Sequence, residues 1–280
     1  MKKYILTITF ILSMLPAVLY FLKVDVQGSN LGPNENIKGT AVNINFSLPW
    51  DILNNAFGYA DDMVGKNTQK VFDSIGKVEN ENINSAGINS VKLDSIFTAI
   101  YIEPSADSNI HLAYPSSAEF EISHSVSGGA MTVAAEAGRP GNDDILKVYL
   151  PAGQIKSLEI IGGASFVHFN GQKGFLSSVN INAELATVLF ENIYANTNVK
   201  IGTGTIRMKN DSVQSNISLA TTSGVIDITL NELPGDVSLY TKGTIVRNTF
   251  PGIRGSISPN EKYSLRLENK VGGINIRKAG

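Results

Sequence analysis

A short phrase recurs through the last 120 or so residues of this 280-residue chain. Segments beginning at Leu158, Val179, Val199, Ile217 and Val237 each open apolar-x-apolar, as in Val179-Asn180-Ile181 and Ile217-Ser218-Leu219. Their starts lie 21, 20, 18 and 20 residues apart. A period near 20 is that of a stacked repeat, in which no single turn can bury its apolar face and each does so against its neighbours. Within a repeat the order is strand, small-residue corner, strand, polar turn. The corners are Gly162-Gly163-Ala164-Ser165, Gly202-Thr203-Gly204-Thr205, Thr221-Thr222-Ser223-Gly224 and Thr241-Lys242-Gly243-Thr244. Glycine permits a sharp bend and close approach, and Ser or Thr can hydrogen-bond to the local backbone. The second repeat has Ala183-Glu184-Leu185-Ala186 instead, without glycine. The expected fold class is all-β, a single-domain β-solenoid of ~20-residue coils. Ile217, Leu219, Ile226 and Ile228 are expected to point inward and to pile on their counterparts one turn away. A last half-turn, residues 264–277, is expected to close the stack.

Upstream of the regular repeats the β pattern is less periodic. Alternating segments occur at 91–96, 99–102, 110–112, 120–122, 131–133 and 145–151. Ser127-Gly128-Gly129 and the run 138–144 separate some of them as turns or loops. Strand edges exposed at the two ends of a stack invite further pairing and need covers. A helix over 49–75 and the polar C-terminal tail are the candidates.

The N-terminal part differs in kind. Lys2-Lys3 precede residues 4–22, an uncharged and largely apolar stretch. A basic pair leading into such a run is a signal anchor or signal peptide, with everything after Leu22 outside the cytoplasm. The absence of a convincing small-x-small cleavage site favours the uncleaved anchor. Residues 23–85 read as a tether and an amphipathic segment. Ile52/Leu53, Ala56/Phe57, Ala60 and Met63/Val64 recur at helical spacing over 49–75, with Ser47 and Pro49 as start signals. Its charged face carries Asp51, Asp61, Asp62 and Asp73, so it is not a lipid-binding basic helix. Residues 86–280 form the β domain.

The chain lacks cysteine, which excludes disulfides and thiolate metal sites. Its net charge is −2 with no basic stripe, which argues against nucleic acid as a partner. The three histidines, His111, His124 and His168, form no HxH or HxxxH pair. Asp143-Asp144 follows a turn and could offer oxygen ligands to a cation, although EF-hand spacing is missing and a solvated turn explains it as well. Outward positions Glu159, Asn180, Lys200, Ser218 and Ser238 give no column of acids of the kind a glycosidase or lyase on a β-helix needs. No catalytic, cofactor-binding or metal-ligating residue is assigned, and no enzyme is expected.

The entry Leu150-Pro151-Ala152-Gly153, the corner Thr222-Ser223-Gly224-Val225-Ile226-Asp227-Ile228 and the closing run from Gly272 to Ile276 resemble the putative-adhesin domains of bacterial cell-envelope proteins. The resemblance covers roughly residues 86–278. It implies a β-solenoid displayed outside the membrane, held by residues 4–22, that binds, adheres or scaffolds at the envelope with an envelope protein or polysaccharide as partner. It supplies no catalytic residues. Two other readings compete: a carbohydrate-active β-helix enzyme, and an accessory component of envelope-stress signalling whose 49–75 helix docks on a membrane partner.

Overall fold

The structure is a computed structural model that describes residues 78–96, 98–116, 120–137, 145–250 and 261–279. The expected anchor, the 49–75 helix and the Asp143-Asp144 loop lie outside these residues. Fourteen strands make one sheet, and no helix occurs among the described residues. No helix there is long and apolar enough to cross a membrane. In chain order the strands are β1 (Val78–Asn84), β2 (Ser90–Ile96), β3 (Thr98–Pro104), β4 (Asn109–Pro115), β5 (Phe120–Ser127), β6 (Ala130–Ala137) and β7 (Ile145–Leu150). They continue with β8 (Ser157–Asn170), β9 (Ser178–Glu191), β10 (Asn196–Asn210), β11 (Ile217–Leu230), β12 (Val237–Lys242), β13 (Ile245–Asn248) and β14 (Tyr263–Lys278).

The long strands β8 to β11 pair in parallel and in register, each on the next. Each has two flights with a slip between them. In β9 the buried residues are Val179, Ile181 and Ala183, then Ala186, Val188 and Phe190, with Glu184 and Leu185 both exposed. Side chains alternate strictly along a strand, so a one-residue slip would throw the second set to the other face of a straight one. Both sets enter one core cluster. The strand therefore bends between its flights, in β9 at Glu184-Leu185, where the sequence offers no glycine. Ile217, Leu219, Ile226 and Ile228 are at most 1% exposed, inward as expected.

The register corrects the repeat starts. Leu158 faces Val179, but Val179 faces Thr197, not Val199, and Thr197 faces Ile217. A buried threonine can take the apolar position because its Oγ1 donates to Ala195 O at 2.8 Å. True layer steps are 21, 18 and 20 residues.

Two further expectations fail. Residues 264–277 do not close the stack. They form β14, which lies between β11 and the pair β12 and β13, parallel to all three. Ile217 faces Leu265, and Leu239 lies beyond it, so Val237 is not the partner of Ile217. The C-terminal strand is accordingly internal and is no end cover. At the opposite end, β2 and β3 form one layer on β8, and β6 and β7 lie on β2 and β3. Antiparallel strands finish that end: β5 on β6, and β4 then β1 on β7. β5 and β6 are joined by Gly128-Gly129, whose φ values of 58 and 80° give the left-handed pair that a two-residue hairpin favours.

Candidate binding groove

The outward side of the first flights carries polar side chains in register. Glu159, Asn180, Asn198, Ser218 and Arg266 make one column, with Tyr240 beyond Arg266. Ser178, Asn196, Asn216 and Ser264 make the column beside it. The members of both columns in β9, β10, β11 and β14, from Ser178 and Asn180 to Ser264 and Arg266, line an open groove of about 450 Å³ that runs across four layers. Layers in such a sheet lie about 4.8 Å apart.

The second column exists because each layer starts at a polar turn. Asn196 accepts at Oδ1 from the backbone N of Asn216 at 3.1 Å, and Asn216 accepts at Oδ1 from Ser264 N and Ser264 Oγ, both at 3.0 Å. Each asparagine thus caps the incoming strand of the next layer. Both asparagines are exposed. In the first column Asn198 Nδ2 donates to Asn180 Oδ1 at 2.9 Å, a rung of an amide ladder. Arg266 is held by Glu268 and lies over the Tyr240 ring, 4.9 Å from its centroid. The groove's surface is mostly apolar, with neutral amide and hydroxyl groups set along it, and Arg266, its one cation, is already paired.

The outward side of the second flights is different. Asp227, 4% exposed at its side chain, accepts from Arg277 and from Asn275 Nδ2, each at 2.8 Å, with Arg207 Nε 3.6 Å away. This is a compensated charge cluster that ties three layers together. His168 also lies here, in β8. Its ring meets Tyr101 edge-on at 5.6 Å, and burial pushes its pKa below the usual 6.5 against the pull of Glu191 and Glu103. The three histidines stay apart. His111 pairs with Asp107 and His124 with Glu81, at 2.8 and 3.0 Å. Glu81 also accepts from the Tyr114 hydroxyl, which burial first and this carboxylate second push up to about 12. That contact joins β1, β4 and β5 at the antiparallel end.

Of the expected outward positions, Lys200 is exposed and Glu159, Asn180 and Ser218 are half-buried, all on this face. Ser238 is a correction: it falls in the column of Ser264 rather than that of Ser218, and it is buried, 6% exposed. Among the described residues no group of three His, Asp or Glu side chains is placed to hold a metal ion. The asparagine caps were not anticipated from the sequence. The signal was an Asn one residue before Thr197 and before Ile217, at the turn that opens each layer.

No family model and no curated protein matches this chain. Solved structures do. A putative cell adhesion protein from Clostridium sporogenes is 16% identical over 72% of this chain and 99% of its own, with a TM-score of 0.44. A putative adhesin from Bacteroides fragilis is 14% identical over 72% and 98%, with a TM-score of 0.34. One from Parabacteroides merdae is 12% identical over 73% and 97%, also at 0.34. Proteins described as putative adhesins are thus what this chain is similar to, as its motifs are.

Proposed function

We propose that the β region is a β-solenoid that works by binding, not by catalysis. On this reading it is held outside the membrane by residues 4–22 and binds an extended, neutral, hydroxyl-rich polymer of the cell envelope along the first-flight groove. The observation that carries this reading is the asparagine ladder. Asn196 and Asn216, on adjacent layers, fix their Oδ1 atoms on backbone N–H groups and so leave their amide nitrogens as donors on an exposed side chain of each layer. A ligand that meets both needs acceptors that repeat. A polysaccharide has them, and its hydroxyls can also answer the acceptor oxygens of Asn198 and Ser218. An extended peptide would need an open strand edge for its backbone, whereas the groove lies in mid-sheet where the ladder already pairs those groups. The paired state of Arg266 disfavours a polyanion.

Pull-down of the full chain on insoluble envelope polysaccharides, with reducing ends measured in the same samples, tests the reading. Retention that Asn198→Ala with Arg266→Ala abolishes, without release of reducing ends, is the expected result. Retention unaffected by both substitutions removes the groove from the account, and turnover removes the binding-only function.

A further inference from the structure

The groove across β9, β10, β11 and β14 has a width, a direction and a chemical asymmetry that narrow what can lie in it. Its two columns stand two residues apart along each strand, about 6.6 Å. Between them run Val179, Thr197, Ile217 and Leu265, each at most 3% exposed. No side chain therefore rises between the columns, and the trough takes one polymer chain and not two. Its length is three layer steps, about 14 Å. Charge bounds the neutral stretch at both ends, with Glu159 in β8 and the Arg266–Glu268 pair in β14.

The layers set the direction. Along a strand the outward residues change kind from one to the next. Across the layers similar kinds recur: Ser178, Asn196, Asn216 and Ser264 on one side, Asn180, Asn198 and Ser218 on the other. The step is about 4.8 Å, close to the length of one pyranose ring. A linear glycan laid along the stacking direction therefore meets one layer with each sugar.

The two sides ask for different partners. Asn196 and Asn216 have spent their oxygens on backbone N–H groups, so their amides face a ligand as donors. Asn198 has spent an N–H on Asn180 and keeps its Oδ1 as an acceptor. An N-acetyl group answers both sides, with a carbonyl that only accepts and an N–H that only donates. Its methyl and the faces of the sugar ring suit a surface that is mostly apolar. A hydroxyl can answer either side, but it brings no apolar surface with it.

Resting on the glycan reading above, we propose that the ligand is a linear, neutral glycan whose sugars carry N-acetyl groups. The groove seats four of its sugars, one per layer, along the stacking direction.

The test is competition for the full chain bound to insoluble envelope polysaccharide. The competitors are linear β-1,4-linked oligomers of N-acetylglucosamine, two to six units long, and the matching glucose series. Potency is expected to rise up to the tetramer and then level off. The glucose tetramer is expected to be about tenfold weaker or worse, the effect of one or two lost neutral hydrogen bonds. Asn216→Asp keeps an oxygen to cap Ser264 but turns the donor into an acceptor, so the tetramer should weaken by about tenfold with thermal unfolding unchanged. Asn182→Asp, an exposed charge control on β9 two residues beyond Asn180, should leave binding as it was. Equal potency of the two series, or equal effects of the two Asp variants, overturns the N-acetyl assignment and leaves glycan binding standing. A dimer as potent as the tetramer overturns the seating along the layers. Retention on no polysaccharide, with no oligomer bound, overturns the glycan reading and this proposal with it.

Discussion

Neighbouring layers make the same bend in two ways. In β10, β11 and β14 one corner column holds Gly204, Gly224 and Gly272, at φ of 138, 143 and 128°. A Cβ on any of them would sit 1.8–1.9 Å from the carbonyl oxygen of the layer beneath. In β8 and β9 the same column holds Ser165 and Ala186, and neither has a positive φ. Ala186 lies directly beneath Gly204, so an alanine layer carries a glycine layer. The need for glycine therefore belongs to the backbone conformation of a given layer and not to stacking as such. The β8 corner is fastened by side chains instead: Ser95 Oγ and Ser165 Oγ lie 3.0 Å apart, and Gly162 leaves room for Ser165.

The largest effect that separates the two kinds of corner is at Gly224. Gly224→Val forces a β-branched residue into left-handed backbone and into a carbonyl, so a loss of about 3 kcal/mol or more is expected. Ala186→Gly, in the same column, has only the flexibility of glycine against it, about 0.5–1 kcal/mol. Urea midpoints of the two variants measure the contrast. Equal losses would break the distinction drawn between the corners.

Asn269 sharpens it next. Its amide donates to the carbonyl of Gly224 and, at 3.3 Å, to that of Gly273, both oxygens of glycine-built corners. Asn269→Ala leaves a buried acceptor without its donor, for an expected cost of about 1–3 kcal/mol. Ser165→Ala removes one neutral, partly buried hydrogen bond from the other kind of corner, about 0.5–1.5 kcal/mol. The ranking Gly224, Asn269, Ser165 is what thermal unfolding of the three variants should return. An inverted order would mean that side chains, not backbone, set the bend.

Gly204 and Gly224 were legible in the sequence as small-residue corners, although their offsets from the triplets at Val199 and Ile217 differ and agree only when the layer is counted from Thr197. The Ala186 corner was legible only as a gap, since nothing in Ala183-Glu184-Leu185-Ala186 announces a bend. Thr197 was passed over for Val199 because a hydroxyl reads as polar until Ala195 O is seen to satisfy it. The place of β14 was hidden for a deeper reason. Val237-Ser238-Leu239 and Leu265-Arg266-Leu267 offer the same alternation, so periodicity cannot say which lies on β11. Long-range order follows from the whole pairing, in which Ile217 meets Leu265 and Leu239 follows. The groove was half legible: Asn180 and Ser218 were placed outward, but the capping role of Asn196 and Asn216 depends on the 18- and 20-residue layer steps.

The smallest effect concerns His168, on the β8 side of the comparison. Its second flight is packed against Tyr101, and burial holds the imidazole pKa below its unfolded value of 6.5 despite Glu191 and Glu103. The folded state therefore prefers the neutral ring. As pH falls below about 6.5 the unfolded chain takes up a proton that the folded chain does not, and stability declines until the folded pKa is reached. The contribution is complete above that window. His168→Gln removes the titration, so the variant's stability should fall less than the parent's between about pH 7 and pH 5. Charge–charge contacts at the other histidines and at the carboxylates are common to both proteins and cancel in the difference. The glycine-cornered layers have no histidine, so a Gly224→Ala variant should keep the parent's slope while losing stability at every pH. If His168→Gln leaves the slope unchanged, Glu191, with its Oε1 4.0 Å from Nε2, is the stronger influence on the ring and the folded state tolerates the imidazolium.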